Sequence, residues 1–335
     1  MKTLDIYDEK KLAHQLQIQR RLSWDLETRI DWSKGVDLSK PLLPLDRDNI
    51  LFPEANAEQR LVISQLMGLI VAATISQLEQ VANDLKGPAW ERVLDRFPVN
   101  PEMRALGEQF YAEEAKHAVA FGRYLDMFAV ALGVEPADLK ALLSQADNGL
   151  QKKIYALNSL AGGMAVWWLI AAVEEESLVI YRYMDPVRAK IDPLYWQLHR
   201  AHFEEELRHK SYASLMLQMF EEFSGVTTTL LFKKLDFVLA ECLNLTWTLN
   251  ELVKAKGFRR FKHHHPFFAT LSGLIDVLGR RNFLGVLYRL LTSAPYISNT
   301  LHLSEHQHVK ELLQRFGALQ APLPSRDTRR VVCVV

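Results

Sequence analysis

Apolar residues recur along this chain at spacings of three and four, in runs far longer than the ~11–12 residues of an average helix. Four such runs stand out, at 57–87, 101–133, 157–185 and 193–225. The second opens on Asn100-Pro101, a capping residue followed by a first-turn proline, and stops at Gly133; the fourth repeats the design with Asp192-Pro193 and Gly225. No run alternates with the period of two that marks a half-buried strand. Each run is apolar on more than one side, as helices buried in a bundle are. The pattern predicts an all-α chain with a four-helix core over about 57–225. An amphipathic helix and a proline-rich strap (PLLPLDRDNILFPEAN) would precede it over 1–56. A helical extension over about 226–320 would follow, clearest in TTLLFKKLDFVLAECLNLTWTLNELVKAKG, and the last stretch, LPSRDTRRVVCVV, reads as a tail. No linker divides the chain, so residues 1–335 are expected to form one domain.

Composition narrows the function. Forty basic residues balance 40 acidic ones over 335 positions, which leaves no electrostatic footprint for nucleic acid or an anionic membrane. Cys242 and Cys333 lie far apart, and Cys333 is third from the end, so neither a disulfide framework nor a prenylation box is present. The N-terminal MKTLDIYDEKKLAHQ has no apolar core of a secretory signal, and runs such as AGGMAVWWLIAAV at 161–173 stop short of the ~20 residues of a membrane span. A cytoplasmic protein without nucleic-acid or membrane partners is the expectation.

The chemistry lies in AHFEEELRHKSYA, residues 201–213, where His202, Glu206 and His209 are spaced four and three apart. On a helix these three project from one face. The second run carries a Glu-x-x-His pair of its own, Glu114 and His117; the first carries Glu79 in apolar surroundings, and the third carries Glu174, Glu175 and Glu176. Glu, Glu-x-x-His, Glu, Glu-x-x-His, one element per long helix, is the dinuclear carboxylate pattern of ferritin-like bundles. The separations from lone to paired Glu, 79 to 114 and 175 to 206, suggest two related helical hairpins. Carboxylate oxygens with some imidazole nitrogen suit iron or manganese better than zinc or copper. Glu113, Glu204 and Glu205 lie about 100° per residue off the ligand face and are expected in solvent. Tyr111, His14, His199 and His263–His265 read as packing or surface residues, and the isolated Glu305/His308 pair has no matching helix before it.

With these residues in place, the chain resembles the p-aminobenzoate N-oxygenase (AurF-like) family of non-haem diiron oxygenases. The resemblance rests on His202 in H-x-x-x-E-x-x-H, a third histidine one turn before the last Glu, on Glu79-Gln80, and on Ala172-Val173-Glu174-Glu175. It covers roughly 57–225. It implies a ferritin-like four-helix bundle with additional N- and C-terminal helices. It also implies two irons, cycling between Fe2+ and Fe3+ with O2, held by Glu79, Glu114, His117, Glu175, His202, Glu206 and His209. Of the 174–176 triplet, the match selects Glu175. Manganese is the alternative metal.

The family's pocket has an Asn one turn after the helix-three Glu and an Arg near the C-terminus; here Val179 takes the first place, and no Arg occurs between Arg289 and Arg315. The amine is thus expected on a different aromatic, or on an amino acid tethered to a carrier protein, and its oxidation would run to hydroxylamine, then nitroso or nitro, in natural-product biosynthesis. No Gly-rich dinucleotide motif is visible, so electrons would come from an external donor of the ferredoxin or reductase type. A homodimer stays open. Two other classes share the ligands: a diiron oxidase acting on carbon, as hydroxylase or desaturase, and a metal-storage protein, which would be shorter and lack the third histidine.

Overall fold

Three side chains start the long helices. Asn56 caps the first through a reciprocal pair with Gln59, Asn100 caps the next by accepting from Met103 N–H ahead of Pro101, and Asp192 accepts from Tyr195 N–H at 2.6 Å ahead of Pro193. The computed structural model describes residues 6, 8–45, 54–143, 164–224 and 255–278. Its principal helices are α1 (Glu9–Leu22), α2 (Ala57–Asp84), α3 (Pro101–Ala131), α4 (Pro136–Leu143), α5 (Met164–Met184), α6 (Pro193–Ser224) and α7 (Pro266–Leu278). The described residues contain no strand. The chain is all-α, with the architecture of a ferritin-like bundle.

Helix α2 packs along α3, α5 packs along α6, and the two hairpins meet through α3 and α6. α1 lies against α3 with contacts to α6, and α7 closes on α2. The first helix stops at Asp84, short of the expected 87, because Pro88 has no N–H to continue the ladder; the backbone widens into a π turn over Lys86–Glu91. Gly133, at φ 70°, ends α3. The strap is pinned to α2: Ser64 Oγ receives the Leu42 and Leu43 N–H groups, and the Gln65 amide donates to the Leu38 and Lys40 carbonyls. Asp192 also accepts from Asp37 N–H at 2.7 Å, tying the strap to the start of α6. Helix α2 is long and apolar enough to cross a membrane, a feature the sequence reading passed over, and it carries the buried Glu79. The stretch 227–254, the Glu305/His308 pair and the tail lie outside the described residues.

The core is divided. One apolar cluster holds Ala72, Phe121, Tyr124, Tyr195 and Leu198; the other holds Trp90, Phe110, Tyr111, Trp167 and Tyr212. On α3 the change from one cluster to the other falls between Tyr111 and Ala120, and on α6 between Ala201 and Tyr212. The candidate ligands of α3 and α6 occupy these intervals, so ionisable groups form a layer between two apolar blocks.

Close packing at one end of the layer depends on Gly107. A Cβ there would overlap the Tyr212 hydroxyl and the ring of Trp90, which donates to that hydroxyl at 2.6 Å. Alanine normally gains about 1 kcal/mol over glycine in a helix. At this position overpacking of about 1–3 kcal/mol outweighs the gain. Chemical denaturation of Gly107→Ala should therefore show a less stable protein; equal or greater stability would mean the rings yield freely.

Candidate metal centre

Among the described side chains, three helices aim ionisable groups into the layer. α2 contributes Glu79, α3 contributes Glu114 and His117, and α6 contributes His202, Glu206 and His209, all of them buried. His202 Nε2 lies 2.8 Å from Glu79 Oε1 and 2.9 Å from Glu206 Oε1. His117 Nδ1 is 3.1 Å from Glu206 Oε1, and His209 Nδ1 is 2.6 Å from Glu114 Oε1 and 3.4 Å from Glu206 Oε2. Two overlapping groups result, Glu79–His117–His202–Glu206 and Glu114–His117–Glu206–His209, each with one ligand atom per residue and all atoms within 4.8 Å of one another. Glu206 and His117 are common to both. From α5, Glu174 lies on the buried stripe of Trp167, Ile170 and Leu178. The side chains of Glu175 and Glu176 lie outside the described residues.

The donor set fits a pair of hard metal ions. Glu79 Oε2, Glu114 Oε1, both oxygens of Glu206, and Nδ1 of His117 and His209 are buried without a hydrogen bond. Several sit at contact distance from one another yet without hydrogen-bond geometry. Unpaired buried polar atoms are rare because each costs about 1–3 kcal/mol. Cations among them would satisfy all at once. Glu79, Glu114, His117, His202, Glu206 and His209 are the described residues placed to hold them.

Without metal, the layer balances its charge by protons. Burial, then Glu114 and Glu206, pushes the Glu79 carboxyl well above the ordinary carboxylate range. Burial also raises Glu114. For Glu206 burial acts upward too, but His209 and His117 outweigh it and hold it at about 2. Burial opposes a charge on His209, yet Glu206 and Glu114 raise it well above the usual imidazole value. His202 goes the other way, driven well below that value by burial and the neighbouring imidazoles, so it stays neutral and keeps a lone pair.

Two functional residues run against the sequence expectation. Glu113 and Glu205, expected in solvent, are 1% and 0% exposed. Glu205 Oε2 lies 2.6 Å from His117 Nε2, and Glu113 Oε2 lies 2.9 Å from His209 Nε2. Each histidine therefore turns Nδ1 inward and gives Nε2 to a carboxylate on the other helix. Such an outer partner fixes the tautomer and raises the ligand's basicity. The 100° offset failed as a guide because α3 and α6 face each other, so residues beside the ligand face also meet the partner helix. A signal was present in the sequence. Glu-Glu-x-Lys/Arg-His occurs twice, as Glu113–His117 and Glu205–His209, with the first Glu of each copy serving the histidine of the other. Glu204 remains on the outside, paired with Arg29. His199 is buried against Phe121 and Tyr195, and burial drives its imidazole down to about 3, consistent with the packing role expected of it. Tyr111 packs among Trp90, Phe110 and Trp167.

These directions set how metal binding depends on pH. Glu79 and Glu114 have raised values and hold protons in the metal-free protein up to a higher pH than free carboxylates do; His209 is likewise held protonated. Each must lose its proton to ligate. Anaerobic Fe2+ binding at neutral pH should release protons, seen in calorimetry as a heat that changes with the buffer's ionisation enthalpy, and affinity should fall as pH is lowered. Buffer-independent heats and pH-independent affinity would contradict the assignment.

Comparison with known proteins agrees with this geometry. Searches of curated proteins and of solved structures each found no significant match. The family model described as P-aminobenzoate N-oxygenase AurF matches residues 8–241, which spans α1 through α6 and every residue of the layer. The chain belongs to the p-aminobenzoate N-oxygenase AurF family, and is thus an oxygen-using diiron oxygenase.

Proposed function

We propose that the protein oxidises a primary amine, on an aromatic or an amino-acid-derived substrate free or carrier-bound, to a hydroxylamine, nitroso or nitro product in natural-product biosynthesis. Electrons come from a ferredoxin- or reductase-type donor, and the setting is cytoplasmic. The observation that carries the reading is His202. It stands among the ligand candidates, against Glu79 and Glu206, rather than in the packing around them. A bundle with two Glu-x-x-His pairs needs two histidines, and the third accompanies the family match over 8–241.

When bound, the two irons supply the activation of O2 and the electrons for its reduction. The chain's own residues prepare the place. Glu79, Glu114, His117, His202, Glu206 and His209 would hold the metals, with Glu175 of α5 proposed as the seventh ligand on the strength of the resemblance. Burial keeps His202 neutral, and the Phe121 ring, edge-on at 5.0 Å, holds its plane. Glu113 and Glu205 hold the other two imidazoles with Nδ1 inward. The apolar blocks on either side keep bulk water from the reacting atoms. Val179, half-buried, leaves an apolar wall at the family's Asn position, which supports a substrate other than a free aromatic carboxylate. The same ligands would serve oxidation of carbon, so the product decides.

The test is anaerobic loading with Fe2+, addition of 18O2, and mass spectrometry over a panel of aryl amines, amino acids and aminoacyl carrier proteins. Label on nitrogen is the expected result. His202→Ala should lower that turnover by more than the roughly 10–100-fold that loss of a ligand's outer partner costs, because it removes a ligand itself. Label appearing on carbon, or an unchanged rate in His202→Ala, would contradict the proposal.

A further inference from the structure

The outer carboxylates are themselves held, and the groups that hold them come in part from the N-terminal segment. α1 buries Leu12, Leu16 and Gln19 on one stripe. The two leucines pack into the Trp90 cluster, and Gln19, the next position along, donates its amide to Glu113 Oε2 at 3.1 Å. Past the end of α1 the chain turns at Ser23-Trp24. There Trp24 N–H donates to Glu205 Oε1 at 3.0 Å, and the Trp24 ring lies parallel to His117 with centroids 5.7 Å apart. Lys116 is gathered into the same corner. Its ammonium donates to Glu205 Oε1 at 2.7 Å and to the Trp24 carbonyl at 2.8 Å, and sits 4.1 Å from the centre of the Trp24 ring.

Two relays emerge, Gln19–Glu113–His209 and Lys116–Glu205–His117. They are unequal. Glu205 is bound by a cation and a backbone N–H, whereas Glu113 is bound by two neutral amides, of Gln19 and of Gln109 at 3.0 Å. Arg208 lies between them, 3.7 Å from Glu205 and 4.0 Å from Glu113, and does not remove the difference. A carboxylate neutralised by a cation draws less on an imidazole N–H. His117 is then the weaker electron donor to metal and His209 the stronger.

We propose that Gln19 and Lys116 are positioning residues for the metal pair, each acting on one histidine through one outer carboxylate, so that the N-terminal segment is a working part of the metal centre. The inference rests on the dinuclear reading of the layer but not on the identity of the substrate. His209 belongs to only one of the two ligand groups and His117 to both, so loss of the Gln19 relay weakens one ion of the pair, whereas loss of the Lys116 relay loosens both.

The experiment uses full-length protein loaded anaerobically with Fe2+, followed by the rate at which a coloured iron(II) chelator removes the metal. Gln19→Met and Lys116→Met keep the length of each side chain and delete its hydrogen bond or charge. Gln19→Met should speed release of about half the iron, and Lys116→Met release of all of it, by about three- to tenfold, less than the roughly 10–100-fold of a direct outer partner because the residues act one bond further out. The double variant should release both halves fast, and Lys116→Arg should behave as wild type. Unchanged release in both single variants, or the same fraction of the iron accelerated in each, would overturn the two-relay assignment in favour of a merely structural role. So would Lys116→Arg as leaky as Lys116→Met. Should Gln19→Met fail to fold, the contrast between Lys116→Met and Lys116→Arg still decides. Wild-type protein that retains fewer than two equivalents at saturation would overturn the dinuclear reading, a result visible before any substitution is made.

Discussion

Charge buried between two apolar blocks is the constraint from which the rest of this structure follows. Glu79, Glu114, Glu206 and three histidines sit at the middle of a bundle with almost no access to water. An isolated buried carboxylate is far too costly to keep ionised, so the layer must be neutralised by protons, by opposite charge or by metal. Protons serve in the metal-free protein, as the raised values of Glu79 and Glu114 show. They serve imperfectly, because oxygens and ring nitrogens remain crowded together without hydrogen bonds. The free energy stored in that mismatch is what metal binding recovers. The large apolar clusters on either side supply enough packing to keep the bundle folded meanwhile.

Outward from the layer, each shell answers the one inside it. Imidazoles that present Nδ1 to the centre need acceptors for Nε2, and Glu113 and Glu205 provide them. Those carboxylates are buried and need donors in turn, found in Gln109, Lys116, Gln19 and the Trp24 backbone. Only the last two require a segment outside the four long helices, which gives the N-terminal helix and the turn after it a reason to lie where they do. Asp192 plays a comparable part at the far end, capping α6 and receiving Asp37 of the strap with the same carboxylate.

Much of this was legible in the sequence, for reasons that can be located. Asn100-Pro101 and Asp192-Pro193 announce helix starts through local hydrogen bonds, which depend little on tertiary context. The three-four spacing of His202, Glu206 and His209 forces them onto one face whatever surrounds the helix. What escaped depends on the neighbouring helix. Glu113 and Glu205 look solvent-bound on a helix considered alone, and become interior only because α3 and α6 face each other across the layer. The end of α2 was misplaced by three residues because Pro88 shifts the backbone into a wider turn rather than stopping it. Gln19 gave no signal at all, since a lone amide on an amphipathic helix says nothing about what it meets 94 positions away.

The central claim is that this layer holds two metal ions between α2, α3, α5 and α6. Anomalous diffraction at the iron absorption edge, from crystals of the protein loaded anaerobically with Fe2+, tests it most directly. Two peaks are predicted, with Glu206 between them, His202 and Glu79 on one side, Glu114 and His209 on the other, and a carboxylate of α5 completing the set as Glu175. A single peak, peaks outside the layer, or two peaks to which His202 makes no bond would contradict the account.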